Sequence, residues 1–332
     1  MILASIKSSL LELARDGELV LVHPDRNHVA ILPKSKFSSL RTALDNWSVV
    51  SAELRDIDSE LRHGKWKDSA SISDVSFMAP LPRTWSFLDG SAFVQHVRLV
   101  RRARGAEPPE DLLTVPLMYQ GTSDNLLGPH DDITLRAASD GMDFESEVAI
   151  VTDYVPMGTK ANDANKHIAL VTLLNDISLR ELIPREMTTG FGFLHGKPPS
   201  TFAPFALTPD ELGGDWRGGR LHLPVQTTLN GHVFGCPNAG EMHFSFPQLI
   251  EHAATTRPLS AGTIIGSGTV SNEDESVGSS CIVERRMLEK IKTGAVSTTY
   301  LQNGDEITIS VTRDNVDLFG SISQRVREAS KR

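Results

Sequence analysis

The chain has 332 residues, of which 39% are apolar and 23% charged, with a net charge of −9. That composition excludes a disordered chain or a fibre, and the acidic balance argues against a nucleic-acid or anionic-membrane partner, although a local basic patch stands at "RLVRRARG". No apolar run approaches the roughly 20 residues of a membrane span, and no secretory leader pattern opens the chain. The two cysteines, Cys236 and Cys281, make neither a disulfide framework nor a zinc cluster, so a cytoplasmic protein with reduced thiols is expected.

The length suggests one large domain with a smaller one, or two domains. In chain order, "DGELVLVHPDRNHVAIL" reads as two short strands joined by a Pro-Asp-Arg-Asn turn. Helical spacing follows at Leu40, Ala43, Leu44 and Trp47, with a break or bend between Asn46 and Ser51 and a stop at Gly64. "FMAPLPRTW" reads as a domain entry, which sets the expected boundary between residues 1–78 and 79–332. "DGSAFVQHVRLVRRARG" predicts a helix capped by Asp89 or Ser91, with Arg101, Arg102 and Arg104 suiting its far end and Gly105 stopping it. Beyond residue 110 short strand-like runs dominate: "EVAIVTD", "IALVTLLND", "LHLPVQTTLNGHVFG", "AGTIIGSGTVS" and "NGDEITISVT". An Asn230-Gly231 hairpin signal interrupts the third. Helices are expected only at "SLRELIPREM" and "FPQLIEHAATT". Without a regular βαβ rhythm, the pattern favours a strand-rich α+β fold.

The chemistry concentrates in the acidic positions. In "GMDFESEVAIVTD" the two-residue period puts Glu145 and Glu147 on one strand face, beside Ala149 and Val151. A solvated edge strand is one reading of this. A hard-metal site is the other, because two carboxylates on one face repel unless a cation joins them. Asp176 ends the apolar run "HIALVTLLND". It is read as a third carboxylate at a sheet edge or as the cap of a helix "SLRELI", in which Arg180 would share its face. Asp89 and His96 stand about two turns apart if both are helical. Asp89 alone reads as a cap, and His96 alone as a half-buried helix histidine. Lys197 in "HGKPPS" reads most simply as an exposed loop lysine, and the amides of "GSGT" are suited to an anionic group.

Taken in order, these residues resemble the fumarylacetoacetate hydrolase family. The set is Asp89-x6-His96, "MYQG" around Tyr119, "DFESEVA", "LLNDISLR", "LHGKPPSTFAP" and "AGTIIGSGTVS" with Thr269, over roughly residues 80 to 310. The resemblance implies a mixed β-sandwich roll as catalytic domain, with a small SH3-like β domain at the N-terminus. It also implies a cytoplasmic homodimer and a place in aromatic amino acid catabolism. It makes Asp89, Glu145, Glu147 and Asp176 the ligands of a divalent ion, Mg²⁺ or Ca²⁺ with Mn²⁺ also suitable. His96 becomes the general base, and Arg180, Lys197, Tyr119 and Thr269 become groups that bind substrate oxygens or charge. Two positions depart from the family pattern: Ile183 stands where a glutamine is usual, and Glu284, the partner expected for His96, lies two residues late.

The implied activity is metal-dependent hydrolysis of a carbon–carbon bond in a diketo acid of fumarylacetoacetate or acylpyruvate type. The alternative is a 2-oxo acid decarboxylase, tautomerase or hydratase on the same metal scaffold, and a purely structural metal site is a third reading. On the expectation that no ion pair forms around Lys197, replacing it with methionine would cost activity and little stability.

Overall fold

The computed structural model of the protein describes residues 1–103, 107 and 109–329. The chain opens with β1 (Ile2–Ile6), a strand that periodicity does not reveal because all five residues are buried. It is followed by β2 (Glu18–Val22) and β3 (His28–Ile31), which flank the expected Pro24–Asn27 turn. α1 (Leu40–Leu44) is capped by Ser39, whose side chain accepts the Thr42 N–H. The helical stretch breaks at Asp45 and Asn46, then resumes as α2 (Trp47–Arg62), short of Gly64. β4 (Ser69–Ser71) completes the antiparallel run β4-β3-β2-β1.

β5 (Phe87–Gly90) leads into α3 (Val94–Ala103). Asp89 is therefore a strand residue and not the helix cap, and its relation to His96 is not two turns of one helix. The first residue of α3 lies beyond both proposed caps, since Ala92 and Phe93 still pack into the main core. Arg101 and Arg102 occupy its last turn; Arg104 and the expected stop Gly105 lie outside the described residues.

Next come β6 (Met118–Gly121), β7 (Ile133–Leu135), β8 (Met142–Asp143), β9 (Ser146–Thr152), α4 (Ala161–Ala164) and β10 (Ile168–Asn175). β11 (Ser178–Leu179) pairs with β8, so Asp176 does not cap a helix and Arg180 is not one helical turn beyond it. The expected helix starts later, as α5 (Ile183–Thr189), with Pro184 in its first turn, where a missing N–H costs nothing. β12 (Thr201–Phe202), β13 (Phe205–Leu207), α6 (Pro209–Leu212), β14 (Trp216–Arg217) and β15 (Arg220–Leu221) follow. The Asn230-Gly231 turn joins β16 (Gln226–Leu229) to β17 (His232–Gly235). α7 (Phe246–Ala253) and β18 (Ile264–Gly266) stand as expected, whereas α8 (Ile282–Thr293) was not among the predicted helices. The chain closes with β19 (Glu306–Ser310), β20 (Thr312–Arg313), β21 (Val316–Asp317) and β22 (Ile322–Glu328).

Among the described residues one 11-stranded sheet runs β4-β3-β2-β1-β13-β10-β9-β18-β5-β6, with β12 added beside β10. The first unit is thus continuous with the large sheet through the β1–β13 pairing. A 5-stranded sheet, β17-β16-β19-β22-β7, forms a second layer. Side chains from alternating positions fill two apolar clusters. Val148 and Ile150 of β9 share one with Ile307, Ile309, Ile322 and Val326 of the second sheet. Ala149 and Val151 share the other with Leu40, Leu44, Leu54 and Leu61 of α1 and α2. Burying each large side chain contributes about 1.5–3 kcal/mol. β9 is therefore an interior strand covered on both faces. The edge-strand reading of Glu145 and Glu147 fails, since a solvated face is absent there. The fold is mixed and strand-rich.

Candidate active site

The register of five neighbouring strands gathers the site at one rim of the large sheet. Leu174 faces Glu147 across β10–β9, Ala149 faces Gly266 across β9–β18, Gly266 faces Asp89 across β18–β5, and Asp89 faces Tyr119 across β5–β6. Asp176 follows directly on the last residue of β10, and Thr269 lies just past β18. Residues scattered from 89 to 269 thus become lateral neighbours.

Asp89, Glu147 and Asp176 converge, with one carboxylate oxygen of each within 4.8 Å of the others. All three are buried, at 5%, 0% and 0% exposure. Glycines make the room. A Cβ on Gly266 would strike Asp89 Oδ1 and crowd Glu147 Oε2, and Gly268, at φ +78°, has Gly90 O where its own Cβ would stand. The Gly268 N–H donates to Glu147 Oε2 (2.9 Å) and to Asp89 Oδ1 (3.3 Å), so the anionic group held by the "GSGT" amides is the protein's own. Asp176 accepts from Tyr119 Oη (2.6 Å) and Ser200 Oγ (2.6 Å). Glu147 Oε1 is buried without any hydrogen-bond partner.

Glu145 stands beside this cluster, and its two oxygens are saturated. Oε1 accepts from Arg180 Nη2 (2.7 Å) and Thr269 Oγ1 (2.7 Å), and Oε2 from Lys197 Nζ (2.6 Å) and Ser178 Oγ (2.9 Å). Lys197 Nζ also bonds Asp176 Oδ2. Lys197 is 7% exposed, so it is not a surface loop lysine. The expectation that no ion pair forms around it is also wrong, because the loop after α5 turns its ammonium inward between two carboxylates. Arg180 Nε donates to Asp143 Oδ2 (2.8 Å). Asp143 in turn receives the N–H groups of Ile282 (2.7 Å) and Val283 (2.9 Å), which fixes the start of α8.

These contacts split the acidic groups electrostatically. Burial pushes the Glu145 carboxyl up, but the charges of Arg180 and Lys197 outweigh it and hold it well below the usual range. Burial together with Asp89 and Asp176 pushes Glu147 well above its usual value. Burial and Asp176 push Asp89 up to about 8. Two carboxyls this close in a dry site do not both carry charge unless a cation joins them.

The group that the family resemblance implies fits these residues. The donors are all oxygens, as hard divalent ions prefer. The orphaned Glu147 Oε1 and the raised Asp89 and Glu147 supply both an open lone pair and an unmet need for positive charge.

His96, in the first turn of α3, faces the first turn of α8. Its Nδ1 lies 3.0 Å from Glu284 Oε2, so the partner that stands two residues late in sequence is brought into hydrogen-bonding contact. Cys281 Sγ lies 4.0 Å from the same nitrogen. A cavity of about 150 Å³ is lined by Asp89, His96, Tyr119, Glu145, Glu147, Arg180, Lys197 and Thr269, with Phe93, Ile183 and Phe193 on its apolar side. The Phe193 ring meets Tyr119 edge-on at 5.1 Å. The structure therefore brings nine of the ten singled-out residues to one cavity wall or its acid cluster, and Glu284 sits behind His96. Residues that sequence reasoning passed over are Asp143, Ser178, Ser200, Cys281 and Phe193. Asp143 had a signal, since it shares the two-residue alternation with Glu145 and Glu147. The others had none.

Residues 86–327 match the family described as Fumarylacetoacetate (FAA) hydrolase C-terminal, and residues 1–83 match Fumarylacetoacetase N-terminal domain 2. The fold and the acid-lined cavity define an enzyme scaffold, and the chain belongs to the fumarylacetoacetate hydrolase family. It is 28% identical over 200 residues to oxaloacetate tautomerase FAHD2B, mitochondrial, of Homo sapiens, covering 59% of each chain. It is 26% identical over 259 residues to oxaloacetate tautomerase YisK of Bacillus subtilis, covering 77% of this chain and 74% of that one. The match to the human protein thus spans less than two thirds of its length. Among solved structures, fumarylacetoacetate hydrolase EaFAH from Exiguobacterium antarcticum superposes with a TM-score of 0.67 at 17% identity, over 99% of this chain and 100% of that one. The family thus holds both hydrolases and tautomerases. Among the described residues no helix is long and apolar enough to cross a membrane.

Proposed function

We propose that the protein is a divalent-metal-dependent hydrolase that cleaves a carbon–carbon bond in a diketo acid of fumarylacetoacetate or acylpyruvate type. The observation that carries this reading is the His96–Glu284 pair, which opens on the same cavity as the converging carboxylates. Asp89, Glu147 and Asp176, with Glu145 beside them, would hold Mg²⁺, Mn²⁺ or Ca²⁺. Such an ion, when bound, supplies Lewis-acid polarisation of a substrate carbonyl.

The chain's own residues account for the rest. Glu284 orients the imidazole through Nδ1 and stabilises its charged form, which leaves Nε2 to take a proton from water. The water oxygen adds to the carbonyl carbon, the carbon–carbon bond breaks, and its electron pair leaves with the departing enolate. Lys197 has three N–H donors and uses two on Glu145 and Asp176, so one remains for that developing charge. Arg180 holds Glu145 in place through a charge-assisted bond. Phe93, Ile183 and Phe193 favour an apolar acyl group at the far end of the substrate. Residues 1–78 as a small SH3-like β domain joined to the large sheet through β1, 79–332 as the catalytic β-sandwich roll, a cytoplasmic location and a homodimer belong to the same reading.

A tautomerase is the second reading. It is favoured by the activity for which the two relatives are named and by Ile183, which removes a polar group from the cavity wall. Incubation with Mg²⁺ and a panel of acylpyruvates separates the two. Hydrolysis consumes the diketone and releases two carboxylic acids, whereas tautomerisation changes the enol absorbance and releases no acid. Absence of acid product from every substrate, with catalysed ketonisation present, overturns the hydrolase reading.

A further inference from the structure

We propose that His96, Cys281 and Glu284 form a second metal site, selective for a borderline-soft divalent ion such as Zn²⁺, whose occupation disables His96. The three residues offer one donor atom each, and these atoms all lie within 4.8 Å of one another. His96 Nδ1 is 3.0 Å from Glu284 Oε2 and 4.0 Å from Cys281 Sγ. For a triangle with those two edges and a third between van der Waals contact and 4.8 Å, the point equidistant from all three lies roughly 2.0–2.4 Å from each. Zinc bonds run about 2.3 Å to sulfur and about 2.0–2.2 Å to nitrogen or oxygen, so adjustments of a few tenths of an ångström suffice.

The placement is built into the fold. Cys281 is the N-cap of α8 and Glu284 its third residue, and α3 brings His96 against both. Two of the ligands are buried and the third, His96, lines the cavity, so the site lies one side chain behind the cavity wall. Donor chemistry separates this site from the acid cluster. Sulfur and imidazole nitrogen select zinc-like ions, and an all-oxygen set suits Mg²⁺, Ca²⁺ or Mn²⁺.

On binding, the Cys281 thiol releases its proton to solvent as the Zn–S bond forms. The imidazole moves its proton from Nδ1 to Nε2 and donates the Nδ1 lone pair to the ion, which replaces the hydrogen bond to Glu284. The base then carries a cation on one nitrogen and a proton on the other, and cannot accept a proton from water. That consequence rests on the proposed role of His96; the binding itself does not.

Co²⁺ is the spectroscopic probe, added to the full-length protein with excess Mg²⁺ to keep the acid cluster filled. Wild type and Cys236→Ser should both show a cysteinate-to-cobalt charge-transfer band in the near ultraviolet, bleached by one equivalent of Zn²⁺. Cys281→Ser and Cys281→Ala should show none. Cys281 is the N-cap of α8, a position that favours serine, so the first variant keeps the helix start. In turnover assays with Mg²⁺ in excess, the Zn²⁺ concentration for half inhibition should rise at least 10-fold in Cys281→Ser. No band in wild type, or an undiminished band in Cys281→Ser, overturns the site. A band lost in Cys281→Ser, with Zn²⁺ inhibition equal in both proteins, overturns the disabling step. If no substrate is turned over, the band alone decides the site, and the failure belongs to the proposed activity.

Discussion

Lys197→Met tests the ion-pair arrangement directly. The side chain keeps most of its bulk and loses its charge. Glu145 Oε2 is left with Ser178 alone, and Asp176 Oδ2 with Tyr119 alone. Breaking a buried ion pair by removing one partner costs about 3–5 kcal/mol. An unfolding entropy of about 2.1 cal/mol/K per residue gives roughly 0.7 kcal/mol/K for this chain, so the melting temperature should fall by about 4–7 °C. The loss should be full in EDTA and smaller with saturating Mg²⁺, because a bound cation restores positive charge beside Asp176. It should also depend on pH in one direction. Glu145 has a folded pKa held well below its unfolded value, so its share of the pairing is present above about pH 4.5 and is lost as pH falls through the folded value. Lys197, pushed up from an already high value, adds no pH dependence near neutrality. The gap between variant and wild type should therefore close in acid. Differential scanning calorimetry of both proteins, with and without EDTA, measures it. A fall of less than about 1 °C in EDTA at pH 7 would refute the reasoning.

His96→Ala should lower Mg²⁺-dependent turnover by about 10²-fold or more, as loss of a general base does, while calorimetric Mg²⁺ binding stays within a factor of a few; unchanged turnover would assign His96 a structural role. The metal-free protein should lose stability as pH rises from 4 to 8. Asp89 has a folded carboxyl pushed up to about 8, so its contribution is present below its unfolded value and lost as pH rises through the folded one. Thermal melts in EDTA should show this slope, added Mg²⁺ or Mn²⁺ should flatten it, and a melting temperature that rises over that interval in EDTA contradicts the convergence of Asp89 with Glu147 and Asp176. Ile183→Arg should shift selectivity from alkyl-tailed toward carboxylate-tailed acylpyruvates by at least 10-fold in kcat/KM; equal preference in wild type would remove the argument from the apolar wall.

The sequence alone determined the chemistry of the site's parts and the order in which they occur. Alternation in "DFESEVAIV" placed Glu145 and Glu147 on one face, and the same period applied two residues earlier would have added Asp143. The ordered motifs identified the family, and turn signals at Pro24–Asn27 and Asn230-Gly231 marked real hairpins. Only the tertiary structure decided which carboxylates converge. Strand register is a non-local property: Gly266 opposes both Ala149 and Asp89 because three strands align, and no local pattern encodes that alignment. For the same reason Asp89 looked like a helix cap, and Asp176 and Arg180 looked like one helix face, when both acids end strands at a common rim. Lys197 sits in a Gly-Lys-Pro-Pro segment that locally reads as exposed loop. It is buried because Glu145 and Asp176, 52 and 21 residues away, offer its ammonium the charge that makes desolvation tolerable. Cys281 shows the same limit: its thiol faces His96 across 185 residues of chain, a contact set by the packing of α8 against α3.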